Sequence, residues 1–242
     1  MSADQVGHYR FRYHMDVIYR ASIAVLVIAA LFLLAGNTLQ ADEVPDKPYT
    51  ETIAVLKLLY VSEIRARDHY LAFSEVALKE GHTNIAHLFK ALADSEKVHA
   101  GNFSRILKTL EVPLPEVDPT PIEVSTTKDN LKYATNIELL EIDKHYPQYL
   151  KRIKPEMHDE SLEYITYAWT AEKQHRDLIK DIQSGTGIFY NTLLNYFRSN
   201  PSRYYVNHNC GTTLTELPED ACPICHQPLE TFEEIPAPEL KR

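Results

Sequence analysis

Apolar residues recur at three- and four-residue spacing along four stretches of the chain, which predicts four amphipathic helices. The first stripe runs through Leu56, Leu59 and Tyr60 and resumes at Tyr70, Phe73 and Ala77. The second carries Ile85, Phe89, Leu92, Phe103, Ile106 and Leu110. The third has Leu131, Ala134, His145 and Tyr149; the fourth has Leu162, Ile165, Trp169, Ile179 and Ile182. Acidic and histidine side chains share these stripes: Glu63, then Glu96 and His99, then Glu138 and Glu141, then Glu172 and His175. A core-facing stripe predicts that all seven point inward. A buried carboxylate without a partner costs several kcal/mol, so five of them call for a compensating cation.

The four stretches form a repeat. Glu80-Gly81-His82 lies sixteen residues before Glu96, and Glu156-Met157-His158 lies sixteen before Glu172. Each half thus reads as an αα-hairpin, with an inward Glu on one helix and Glu-x-x-His on the other. One such Glu-x-x-His is ordinarily a solvated surface pair. Two copies on apolar stripes form the ligand set of a di-iron or di-manganese bundle. Pro113, Pro115, Pro119 and Pro121 fall within residues 111–129, so this segment cannot be helical throughout and reads as a long crossover. Short connections near Gly81 and His158 join antiparallel neighbours. Pro147 predicts a kink or interruption in the third helix.

These residues resemble the rubrerythrin family over about residues 50–235. The resemblance rests on Glu63 with Tyr70, Glu80-Gly81-His82, Glu96-x-x-His99-Ala100 and Asn130-Leu131-Lys132 before Glu138-x-x-Glu141. It extends to Tyr146-Pro147, Glu172-x-x-His175 and a cysteine module after the bundle. It implies an all-α, ferritin-like four-helix bundle with a long crossover and a small rubredoxin-like β module. It further implies reduction of hydrogen peroxide at two iron ions, with manganese the alternative metal. In that scheme Glu96 and Glu172 bridge the metals, Glu63 and Glu138 are terminal ligands, and His175 is a permanent ligand. Glu141 and His99 exchange at one iron. Tyr70 and Tyr146 are candidate catalytic residues, donating hydrogen bonds to ligand carboxylates or to peroxide; ordinary core packing is their other reading. The resemblance also implies a homodimer, in which the module of one chain often serves its neighbour's bundle. The electron donor is unknown.

The cysteine module departs from the family pattern. A complete site has two Cys-x-x-Cys knuckles. The second is present as Cys222-Pro223-Ile224-Cys225, but the first reads Asn207-His208-Asn209-Cys210-Gly211, and His226 stands where glycine is usual. Cys210, Cys222 and Cys225 can hold iron or zinc with His208, Asn207 or water completing the set, or the module can be empty. The missing thiolate keeps a second function open: an iron-binding ferroxidase, or a non-catalytic subunit of a membrane complex.

Ahead of the bundle, Ala21 to Gly36 is an unbroken apolar run, preceded by Arg10, Arg12 and Arg20 and followed by Asp42 and Glu43. It reads as a single N-terminal apolar helix anchoring the chain, with the bundle on the non-cytoplasmic side; a cleaved export signal is the alternative. The domains expected are 1–45 for this segment, 46–185 for the bundle, 186–203 for a connecting helix or linker, and 204–242 for the module. A hydrophobic content of 44% with only 7 Gly fits a helical globular chain. A net charge of −9 without a basic stripe argues against nucleic acid as a partner.

Overall fold

The computed structural model describes residues 48–183 and 203–239. The expected N-terminal apolar helix, with its anchor or export-signal reading, lies outside the described residues, as does nearly all of the connecting segment 186–203. Among the described residues, no helix is long and apolar enough to cross a membrane.

Helices α1 (Thr50–Lys79) and α2 (Thr83–Thr109) form the first hairpin. Gly81, at φ 79°, sits in the tight turn between them. The chain then runs without helix or strand from the end of α2 to Thr127, as the four prolines require. Arg65 on α1 ties this crossover down by donating to the carbonyls of Asp118 (3.2 Å) and Thr120 (2.7 Å). Thr126 caps the next helix, its hydroxyl accepting from the Asp129 N–H at 3.2 Å.

The third predicted helix is one helical path with a defect. Helix α3 (Thr127–Leu140) passes into a π-helical turn (Glu141–His145) and then into α4 (Tyr146–Ile153). Pro147, in the first turn of α4, has no N–H to give, so the hydrogen-bond ladder must change around it. The widened turn immediately before it is that change. A short 3₁₀ turn (Lys154–Glu156) leads to α5 (Asp159–Gln183).

The repeated turn glutamates have a structural role that the sequence did not reveal. Glu156, ending the second hairpin's first helix, accepts from the N–H groups of Glu51 and Thr52 at the start of α1, both at 2.8 Å. Glu80, ending the first hairpin's first helix, accepts from the N–H of Thr127 at the start of α3, at 3.0 Å. Each half thus caps the other half's opening helix. A carboxylate at a helix N-terminus satisfies orphan donors and complements the helix dipole.

The C-terminal module is a three-stranded antiparallel sheet in the order β2–β1–β3, from β1 (Tyr205–Asn207), β2 (Thr213–Leu214) and β3 (Phe232–Glu234). Val206 lies opposite Thr213 on one side and Glu233 on the other. The module packs on its own chain's bundle. Tyr204, Val206 and Ile235 share a buried cluster with Tyr70, Phe73, Phe89 and Leu92. His87 Nε2 lies 2.7 Å from the Ile235 carbonyl, and Asn102 donates to the Asn209 carbonyl at 2.9 Å.

Replacing Glu156 with alanine is expected to cost about 1 kcal/mol, because two N–H groups at the start of α1 lose their acceptor. Urea denaturation of the metal-free chain measures it; an unchanged midpoint would count against the cap.

Candidate metal centre

Glu63 on α1, Glu96 and His99 on α2, and Glu172 and His175 on α5 converge in the bundle interior, all buried. The i, i+3 spacing on α2 and α5 places each Glu beside its own His: His99 Nδ1 is 2.9 Å from Glu96 Oε2, and His175 Nδ1 is 3.0 Å from Glu172 Oε2. The pairs also cross between helices. His99 Nδ1 is 3.2 Å from Glu172 Oε1 and 3.7 Å from Glu63 Oε2, and His175 Nδ1 is 3.2 Å from Glu96 Oε1. Tyr146 on α4 donates to Glu63 Oε1 at 2.6 Å. The two imidazoles lie roughly parallel, with centroids 6.0 Å apart.

The donor set fits a metal pair better than it fits protons. One ring N–H at His99 Nδ1 faces three carboxylates and cannot satisfy them all. Glu96 Oε1 is buried, and only the His175 ring nitrogen 3.2 Å away faces it, without hydrogen-bond alignment. Both Nδ1 atoms face the carboxylates, while both Nε2 atoms are held from behind. His99 Nε2 lies 3.2 Å from the Cys210 carbonyl, and His175 Nε2 lies 3.4 Å from Thr213 Oγ1. A histidine that ligates through one nitrogen and is steadied through the other is the usual arrangement at metal sites.

Those rear contacts come from the C-terminal module, and glycine makes them possible. Gly211 adopts φ 78° and lies so close to α2 that a Cβ there would stand 2.2 Å from His99 Nε2 and 2.9 Å from Ser95 Oγ. Ser95 donates to the Gly211 carbonyl at 2.5 Å. Gly211 was legible as a knuckle glycine. Nothing in the sequence marked Ser95 or Thr213.

Glu141 departs from the inward reading. It begins the π-helical turn and stands apart from the ion-paired cluster, half-buried, with Ser62 Oγ at 3.4 Å and His145 Nδ1 at 3.3 Å. It lines a cavity of about 180 Å³ with Tyr70, Ser62, Arg65, His69 and Tyr133. Tyr70 is buried at this cavity, its ring 5.9 Å from that of Phe89. The Glu138 backbone belongs to α3, but its side chain lies outside the described residues. Cys210, Cys222 and Cys225 gather in the module, buried and not disulfide-bonded.

Charge in the metal-free cluster is shared among protons. Burial pushes Glu63 up to about 8, outweighing the hydrogen bond with His99. Burial would lower His175, but the charges of Glu96 and Glu172 overcome it and raise the group to about 9. His99 is likewise driven well above its ordinary range, with hydrogen bonds to Glu172, Glu63 and Glu96 overriding burial. Glu172 is held well below the usual carboxylate range, because His175 and His99 outweigh burial. Burial and then the charge of Glu63 keep Tyr146 protonated.

The rubrerythrin family model matches residues 55–183. The chain belongs to the rubrerythrin family. It is 32% identical over 182 residues to Rubrerythrin-2 of Clostridium acetobutylicum, covering 75% of this chain and 95% of that protein. It is 30% identical over 193 residues to the rubrerythrin of Clostridium perfringens, covering 76% and 94%. The mixed-valence structure of nigerythrin superimposes with a TM-score of 0.62 at 26% identity, covering 76% of this chain and 86% of that one. The helical part is therefore the ferritin-like fold of rubrerythrins, its carboxylate–histidine cluster is the family's di-iron site, and a small sheet with a three-cysteine cluster follows it. Glu63, Glu96, His99, Glu172 and His175 would hold the metals.

Two outcomes follow. The folded metal-free chain binds more protons than the unfolded one wherever a group's folded value is raised. The contribution of His175 is complete below its unfolded value of 6.5 and is lost as pH rises through about 9; that of Glu63 has the same sign and is lost between 4.5 and about 8. The melting temperature in chelator should therefore fall between pH 6.5 and 9, and loading with Fe(II) or Mn(II) at pH 7 should release about three protons per chain, from Glu63, His99 and His175. Thermal scans and titration in weakly buffered solution check both; a melting temperature that climbs over that range would contradict the assignment.

Gly211→Ala should cost about 1–3 kcal/mol and weaken metal binding in the bundle, since backbone strain adds to the clash with His99. Gly101→Ala, where a Cβ meets nothing within 4 Å, is the control. Equal stability and metal content in the two variants would show that the close approach does not matter.

Proposed function

We propose that this chain reduces hydrogen peroxide to water at its di-iron centre. The observation that carries this reading is Glu141, which lines a cavity and is close enough to the cluster to feel the charge of Glu172. Among the described carboxylates on the core stripes it is the one that pairs with neither His99 nor His175, and it lines a space of about 180 Å³. Peroxide, about the size of two water molecules at roughly 30 Å³ each, fits that volume.

When bound, two ferrous ions supply the two electrons that cleaving the O–O bond consumes. The protein supplies position and protons: two protons per peroxide give two molecules of water. Burial raises Glu141, outweighing His145. With the part-exposed His145 at 3.3 Å, Glu141 is placed to pass protons from the surface into the cavity. Tyr146 fixes the orientation of Glu63 through a hydrogen bond it never ionises to make. The Cys210 carbonyl and Thr213 hold the two imidazoles in line, so that both Nδ1 atoms stay aimed at the carboxylates. The exchange of Glu141 with His99, the bridging roles of Glu96 and Glu172, the homodimer, and the membrane tether read from Ala21 to Gly36 belong to the same proposal.

The departure at Asn207 favours the second reading, a ferroxidase, because turnover needs a supply of electrons. Stopped-flow mixing of the Fe(II)-loaded chain with peroxide and, separately, with O₂ distinguishes the two. Faster oxidation by peroxide, slowed about a hundredfold in Glu141→Ala, is the expected result. A preference for O₂ with accumulation of iron would establish the ferroxidase instead.

A further inference from the structure

The first knuckle keeps its geometry although its leading cysteine is gone. In the intact second knuckle, the His226 N–H donates to the Cys222 carbonyl at 3.0 Å, and His226 adopts φ 57°. In the first, the Gly211 N–H donates to the Asn207 carbonyl at 2.8 Å, and Gly211 adopts φ 78°. Asn207 therefore stands in the first loop where Cys222 stands in the second.

The Asn207 side chain points into the thiol cluster, oxygen first. Its Oδ1 accepts from the N–H groups of Asn209 (2.9 Å) and Cys210 (3.2 Å). Its Nδ2 donates to Thr231 Oγ1 at 2.6 Å. Thr231 has committed its own hydrogen to the Pro228 carbonyl at 2.6 Å, so it can only accept from Asn207. These bonds fix the amide orientation from both ends and leave Oδ1 3.5 Å from Cys210 Sγ and 3.6 Å from Cys225 Sγ. We propose that Asn207 Oδ1 is the fourth ligand of a metal site with Cys210, Cys222 and Cys225, an oxygen-for-sulfur replacement of the knuckle thiolate.

The distances match the edges of a small tetrahedron. With metal–sulfur bonds of ~2.3 Å and metal–oxygen bonds of ~2.1 Å, the sulfur–sulfur edge is ~3.8 Å and the sulfur–oxygen edge ~3.6 Å. Cys210 Sγ and Cys222 Sγ are 3.6 Å apart, and the two sulfur–oxygen distances are 3.5 and 3.6 Å. The other candidates fit worse. His208 is exposed and its Nε2 is engaged with Glu233 at 2.7 Å. Thr212 Oγ1 is only 2.9 Å from Cys210 Sγ, a hydrogen-bonding distance too short for two ligands on one ion. Thr212 is therefore a hydrogen-bond partner of the sulfurs. Three thiolates and a neutral carboxamide carry one negative charge fewer than four thiolates, so an iron here has a higher reduction potential than its all-cysteine counterpart.

Cobalt(II) titration of the full chain tests this, because a sulfur-to-cobalt charge-transfer band arises at this site and not at the sulfur-free bundle centre. The wild type should show a tetrahedral three-thiolate spectrum. Asn207→Cys should raise the charge-transfer intensity by about a third and lower the potential of the iron-loaded module. Asn207→Asp should keep the three-thiolate spectrum, Asn207→Ala should lose about tenfold or more in affinity, and Thr212→Val should leave the coordination envelope unchanged. The proposal is overturned if the wild type binds no cobalt through sulfur, if Asn207→Ala matches it in affinity and spectrum, or if Thr212→Val is the variant that loses the ligand. Should Asn207→Ala not fold, the Cys and Asp variants decide alone. None of these readouts depends on peroxide activity.

Discussion

The structure depends on charge balance in a dry interior. Glu63, Glu96 and Glu172 are buried around His99 and His175, and no carboxylate there could remain ionised without a cation in contact. Without metal, the imidazolium groups and the proton on Glu63 balance the charge. Four helices and the C-terminal module are then tied to one point, because each contributes a group to the cluster or to its support. A defect in any of them is felt at the centre.

The π-helical turn and the glycine approach are two forms of the same accommodation. At Glu141 the helix widens, and a carboxylate that the stripe would have sent inward faces a cavity instead. At Gly211 the absence of a side chain lets a loop carbonyl come within bonding distance of Ser95, beside His99. Local regularity yields at both places, next to the chemistry, where a uniform bundle would leave neither a space nor a support.

Helical stripes, the crossover and the paired Glu-x-x-His were legible because each is a local pattern with a fixed period. The convergence of Glu63, Glu96, His99, Glu172 and His175 followed from those stripes. The displacement of Glu141 was not legible: Pro147 announced a disturbance but not that the ladder would widen upstream of it. The roles of Ser95 and Thr213 were hidden for a different reason. They arise where two separately folded surfaces meet, and no spacing within one segment encodes that meeting. Asn207 lay between these cases. Its place in the knuckle was visible, but the direction of its amide depended on Thr231, far along the chain.

The crossed glutamates of the two turns bear on how the two halves hold together. Glu156 closes the start of α1 and Glu80 the start of α3, so neither hairpin finishes its own leading helix. Two copies of one hairpin, set face to face about a two-fold axis, would satisfy both helix starts with a single residue type. Each helix start is therefore held only while the two hairpins face one another, so neither half can fray at its leading end without loosening its grip on the other.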